Sequence, residues 1–150
     1  MNDKKSFDFH FKWIGAPTWV MKINELNIAC DPVLCPKNTV QDYGLGFKSR
    51  RLTDPVFEED DFKNIDMWLV SHEHEDHLDK YGLEKMDPEA VIIANKKAEK
   101  RIKAIRPKKL DIVQWNQILS YQLKGLTVEI RVMPTVHASN FLMALVVGGG

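Results

Sequence analysis

Apolar and polar residues alternate from near the start of the chain, where Phe7, Phe9, Phe11 and Trp13 are separated by Asp8, His10 and Lys12. A period of two marks a strand with one buried face. Residues 7–13 are therefore expected to be a strand whose aromatic side lies in a core or an interface, with His10 structural. Further strands are expected over 19–23 and 26–30, with Asn24-Glu25 as the turn between them. Asp31-Pro32 closes this meander, because proline has no N–H to give a ladder. From 35 to 64 no period persists, and Pro36, Gly44, Gly46 and Pro55 punctuate the segment. Its acidic run at 58–61 reads as a solvated loop.

Met67-Trp68-Leu69-Val70 is an uninterrupted apolar run, which predicts a buried strand. It leads directly into Ser71-His72-Glu73-His74-Glu75-Asp76-His77. A short helix capped by Asp79 is expected over 78–86, a second buried strand over 91–94, and a helix over 96–106 that Pro107 stops. Strands at 112–115, 119–123, 127–133 and 141–147 complete the pattern. Strands first, then strands alternating with short helices, predict an α/β layered domain with a mixed sheet. Trp13, Trp19, Trp68 and Trp115 all fall on or beside these strands, so packing is their expected role.

Composition narrows the function classes. A chain of 150 residues, 44% hydrophobic and 9% aromatic, has the length of one globular domain that needs no staples. The 21 basic and 21 acidic residues cancel, leaving no global attraction to nucleic acid or an anionic membrane. Eight lysines and arginines crowd into 96–109 against Glu99 alone. Without interleaved aromatics, they read as a solvated helix face rather than a nucleic-acid footprint. No apolar run approaches the ~20 residues of a membrane span, and the N-terminus lacks an apolar signal core. Cys30 and Cys35 have neither redox-motif nor zinc-knuckle spacing. Two reduced thiols in a soluble, cytoplasmic protein are expected.

The chemistry concentrates at one place. Three of the five histidines, His72, His74 and His77, lie within six residues, with Asp76 among them. If the loop is extended, 72, 74 and 76 project to one side, and His77 at the turn aims at a neighbouring point. This supplies two imidazoles to one metal, and a carboxylate with an imidazole to another; Zn²⁺ accepts both donor types. A helical His-Glu-x-x-His site is excluded, since Asp76 stands four after His72 and Leu78 four after His74. No Gly-x-Ser-x-Gly elbow occurs, which removes the usual serine hydrolase. An ordinary acidic loop would explain Glu73 and Glu75, but not three histidines and an aspartate tied to a buried strand. His137, in Met133-Pro134-Thr135-Val136-His137, is the candidate third ligand, because catalytic zinc usually takes three from the protein.

The stretch His72-x-His74-x-Asp76-His77 after an apolar strand resembles the HxHxDH signature of the metallo-β-lactamase superfamily. Trp13-Ile14-Gly15-Ala16-Pro17-Thr18, a hairpin, then Asp31-Pro32-Val33 is similar to the opening of one branch. That branch holds the ascorbate-6-phosphate lactonase-like hydrolases and the N-acyl-phosphatidylethanolamine phospholipase D-like enzymes; many members carry a histidine where Ala16 stands. The resemblance implies an α+β fold, an αββα sandwich with metals at one edge between two sheets. It implies His72, His74 and His137 as ligands of a first metal, Asp76 and His77 as ligands of a second, and Asp31 as a supporting aspartate. It implies hydrolysis by a metal-bound or bridging hydroxide, with Asp76 orienting the nucleophile and assisting proton transfer. The metal would be Zn²⁺, about two per complete site, with Mn²⁺ or Fe²⁺ as alternatives, and the substrate a small-molecule ester, lactone or phosphodiester.

In the family, a bridging aspartate and a final histidine follow the third histidine, yet residues 138–150 contain no Asp, Glu, His or Cys. Residues 1–150 are therefore expected to be the N-terminal half of such a domain. The alternative function is a truncated, inactive metal-binding half-domain whose open sheet surface self-associates as a homo-oligomer. A nucleic-acid-processing variant is the third reading.

Overall fold

The computed structural model describes residues 7–43 and 48–134. An antiparallel meander of β1 (Phe9–Gly15), β2 (Thr18–Ile23) and β3 (Leu26–Cys30) opens the chain. Next come a small hairpin of β4 (Val40–Asp42) and β5 (Lys48–Arg50) and a 3₁₀ turn at Glu59–Phe62. Then β6 (Met67–Val70), α1 (Lys80–Leu83), β7 (Val91–Asn95), α2 (Glu99–Ile102) and β8 (Lys109–Val113) alternate. A second hairpin, β9 (Ile118–Leu123) and β10 (Leu126–Arg131), ends the described chain.

The main sheet runs β1-β2-β3-β6-β7-β8. Its first three strands are antiparallel, and β3, β6, β7 and β8 are mutually parallel. Parallel strands need crossover connections, and α1 and α2 supply two of them. Both faces of the central strands are covered, which explains their continuous apolar character. On one face Trp68, Val70, Ile92 and Ala94 pack with Leu78, Ala98 and Ile102 from the helical layer. On the other, Met67, Val91 and Ile93 pack with Leu26, Ile28 and Tyr121, and β9–β10 lies over them. The described residues thus form three layers, helices, sheet and hairpin, as a mixed α+β fold. Trp68 is fully buried; burying a side chain of that class contributes about 1.5–3 kcal/mol.

Asp79 caps α1 as expected, accepting the Gly82 N–H at 2.6 Å, but the helix is much shorter than 78–86. Its fit is close, since a Cβ at Gly82 would lie 1.9 Å from the Pro32 carbonyl oxygen. The acidic run at 58–61 is folded rather than a free loop: Asp61 accepts the Glu58 N–H at 2.7 Å and holds Lys12. The strand expected at 112–115 also shifts. β8 begins at Lys109 because pairing starts where Lys109 meets Val91, leaving Trp115 in a turn and 53% exposed.

At β1 the strand is present, but of its two expected settings the core is excluded. Phe7, Phe9, Phe11 and Trp13 are 55–68% exposed, not core. β1 is the edge strand, and the β9–β10 hairpin packs on β3, β6 and β7 instead. His10 is likewise exposed, paired with Asp8 at 2.9 Å. Of the four tryptophans, Trp68 alone is fully buried. No helix among the described residues is long and apolar enough to cross a membrane. The strand expected at 141–147 lies outside the described residues.

Candidate metal centre

Two parallel strands end side by side and build the site from their tips. β3 leaves the sheet at Asp31, whose φ of +42° is a left-handed conformation that Asp adopts more readily than most residues. Thr18 fixes that exit, its hydroxyl donating to the Asp31 carbonyl at 2.5 Å while accepting the Val33 N–H at 3.0 Å. The Asp31 carboxylate, 3% exposed, is thereby turned toward the end of β6. There it accepts the Ser71 N–H and the Ser71 hydroxyl, both at 2.7 Å, and His77 Nδ1 at 2.8 Å.

These bonds set the imidazole tautomers. A carboxylate is acceptor-only, so His77 Nδ1 is the donor, and in the neutral ring Nε2 is the lone-pair nitrogen. Ser71 has one hydroxyl proton, given to Asp31, and toward His72 Nδ1 at 3.1 Å it can only accept. His72 Nε2 is then also the lone-pair nitrogen. Imidazoles oriented through the far nitrogen in this way are the usual metal-ligand arrangement.

The loop itself is bent rather than extended. It bends at 73–74 and turns over 75–77, with the His77 and Leu78 N–H groups both donating to the His74 carbonyl. That turn brings one donor atom from each of His72, Asp76 and His77 within 4.8 Å of one another. Asp76 Oδ1 is buried with no hydrogen-bond partner among the described residues. An unbonded buried carboxylate oxygen is costly, and a cation held with two imidazole nitrogens would satisfy it. The donor set suits a divalent ion such as zinc. His74 adjoins this group, its ring edge-on to His72 at 4.8 Å and to Tyr43 at 6.1 Å. His137 lies outside the described residues.

Residues that local spacing could not reveal hold the loop from outside. Gln41 donates to the Glu75 carbonyl at 2.8 Å, Arg101 to the Glu73 carbonyl at 2.6 Å, and Asn95 to the Ser71 carbonyl at 3.3 Å. Arg101 belongs to the basic stretch at 96–109, so one of its charges serves the site. Others in that stretch are paired: Glu99 takes Lys96 and Lys103, and Lys108 meets Glu89. The helix expected over 96–106 is shorter, α2 at Glu99–Ile102 followed by a 3₁₀ turn at Lys103–Ile105.

A cleft of about 870 Å³ opens beside the loop. Ser71, His72, His74 and His77 line one side; Leu69, Ile93, Val113 and Ile130 give it an apolar wall; and Lys96, Lys97 and Arg131 reach its margin. Cys30 also lines it, but burial first, and then the neighbouring Asp31 charge, push its thiol pKa far up, which disfavours the thiolate a nucleophile needs. Burial raises the Tyr43 phenol too, with the Asp76 and Glu75 charges adding to it. Cys30 and Cys35 form no disulfide.

Solved structures with this architecture include a possible metal-dependent hydrolase from Veillonella parvula, with a TM-score of 0.67 at 21% identity. The match covers 96% of this chain and 55% of that one. A second possible metal-dependent hydrolase, from Parabacteroides distasonis, matches at 0.57 and 17% identity, over 91% of this chain and 50% of its own. An isothiocyanate hydrolase from Delia radicum gut bacteria matches at 0.54 and 18%, over 77% and 44%. The chain thus spans about half the length of each. No curated protein matches the sequence significantly. The sequence profile described as a beta-lactamase superfamily domain matches residues 10–144, from β1 through the histidine loop and past β10, and the chain belongs to that superfamily.

Proposed function

We propose that this chain carries the metal-holding part of a hydrolase that cleaves an ester, lactone or phosphodiester of a small molecule. The observation that carries the reading is the convergence of His72, Asp76 and His77 donors around a buried, unbonded Asp76 oxygen. His72, Asp76 and His77 would hold a divalent ion through Nε2, a carboxylate oxygen and Nε2, with His74 and His137 as the further ligands. Zinc is the favoured ion, with manganese or iron(II) as alternatives. When bound, such an ion supplies a lowered pKa for water and a Lewis acid for the scissile group. Asp31 keeps the His77 ring in place, and Asp76 orients the attacking water and takes up its proton on a carboxylate oxygen. The cleft beside the loop, with its apolar wall, accepts the body of a small molecule. The opening segment from Trp13 to Val33 favours the lactonase-like and phospholipase D-like branch, and the unlinked cysteines favour the cytoplasm.

A second reading is metal binding without catalysis, favoured by a donor group among the described residues that suits one ion, His72, Asp76 and His77. One experiment separates the two. Native mass spectrometry after Zn²⁺ loading gives the stoichiometry, and a panel of lactones, aryl esters and phosphodiesters gives activity. Metal uptake with turnover that His72→Ala abolishes supports the hydrolase. Uptake without turnover supports the second reading, and no uptake defeats both.

A further inference from the structure

The open face of β1 belongs to no part of the metal centre, and its sequence is close to palindromic. Read outward from His10, Phe9 is matched by Phe11, Asp8 by Lys12, and Phe7 by Trp13. Among the described residues, no strand pairs with the outer edge of β1. An exposed apolar edge is a template for strand addition. We infer that β1 pairs antiparallel with β1 of a second copy about a two-fold axis at His10, joining two main sheets into one.

The backbone has the right phase for this register. The Asp8 carbonyl accepts the Asn24 N–H at 2.8 Å, and the Asp8 N–H donates to Asn24 Oδ1 at 3.0 Å. Main-chain groups of even-numbered residues therefore turn inward to β2, and by alternation those of Phe9 and Phe11 turn outward. With the axis at His10, Phe9 of one copy stands opposite Phe11 of the other as a hydrogen-bonded pair, twice over. Phe7 and Trp13 extend the same ladder. His10 faces His10 as a non-hydrogen-bonded pair.

Side chains select the register further. One face then stacks aromatic on aromatic throughout, and on the other each Asp8 stands opposite a Lys12; both pair types are favourable across strands. Sliding by two residues sets Asp8 or Lys12 against His10 and loses both opposite-charge pairs. In the single chain Asp8 meets His10 and Lys12 reaches Asp61, so the second copy's Asp8 adds to an existing acid–base row. The aromatic stripe is also pre-set. The Trp13 indole N–H donates to the Ala16 carbonyl at 2.8 Å, and Phe11 rests on Trp19 with ring centroids 5.6 Å apart. Little side-chain freedom is lost on association, which favours it. An interface built on a two-fold axis is self-complementary and closes at two copies.

Light scattering on the 150-residue chain tests the stoichiometry, with cysteine cross-linking as the test of register. The expected mass is twice 17.3 kDa. Under mild oxidation His10→Cys should form a covalent dimer, since directly opposed residues lie within disulfide reach. Asp8→Cys and the parent chain should not. Phe11→Lys should raise the dimer dissociation constant by about tenfold or more, as loss of a central aromatic does, with an unchanged circular dichroism spectrum. A monomeric parent chain, a Phe11→Lys variant that dimerises as before, or Asp8→Cys linking as readily as His10→Cys would each overturn the inference.

Discussion

At the tips of β3 and β6, polar groups are buried and tied to one another; along β1, aromatic rings stand in solvent. Asp31 is 3% exposed and accepts three hydrogen bonds, whereas Trp13, on the same sheet, is 68% exposed. Both reverse the usual partition, and a buried polar group or an exposed apolar patch is the informative exception. They differ in completeness. The Asp31 cluster is tied to itself and leaves a buried Asp76 oxygen without a hydrogen bond among the described residues, so what it lacks is small and cationic. Among the described residues the β1 edge has neither a partner strand nor an apolar cover, and a polypeptide would supply both.

The two regions should respond to substitution in different ways. The largest effect is expected at Gly82, where a methyl group would collide with the Pro32 backbone beside Asp31. Gly82→Ala should destabilise the fold by about 3 kcal/mol, the range of overpacked, unyielding sites, as read by urea denaturation; an unchanged midpoint would contradict the close packing. Next is Asp31→Ala, which strands the Ser71 N–H and His77 Nδ1. It should cost about 2 kcal/mol of stability and about 10–100-fold in metal affinity, measured by denaturation and by calorimetric titration. Loss of affinity with no loss of stability would mean that the Asp31 bonds do not hold the fold. Phe11→Lys should shift the monomer's stability by only about 0.5 kcal/mol, as at other exposed positions.

The smallest effect concerns acid. Glu99, held by Lys103 and Lys96, has its carboxyl pKa lowered from 4.5 to about 2. Stability from a depressed carboxyl is present above the unfolded value and lost as pH falls toward the folded one. Glu99→Gln should therefore flatten part of the unfolding profile between about pH 4.5 and 2 while leaving neutral pH nearly unchanged. A profile that keeps its acid limb would remove the pair from the account of α2.

Sequence legibility follows the same division. His72, His74, Asp76 and His77 were visible because candidate ligands within six residues announce themselves by spacing. The central strands were visible because burial on both faces leaves no polar phase in Met67–Val70. Gln41, Asn95 and Arg101 were not, since each reaches the loop from a distant element by one backbone contact, and no local pattern encodes that. Arg101 in particular looked like any other member of a basic stretch. For β1 the alternation read correctly as a strand, but a period of two says which side is apolar, not what covers it. The β4–β5 hairpin was missed because strands of three residues give no period.

The most direct test of the histidine loop as a metal centre is a Zn²⁺ titration by isothermal calorimetry on the parent chain and on Asp76→Asn. Because Asp76 Oδ1 has no hydrogen-bond partner among the described residues and its burial as a charge is costly, the variant's metal-free melting temperature should be no lower than the parent's while its zinc affinity falls by about tenfold or more, as expected for a lost ligand. Equal zinc affinity in the two proteins, or no binding by the parent, would contradict the assignment.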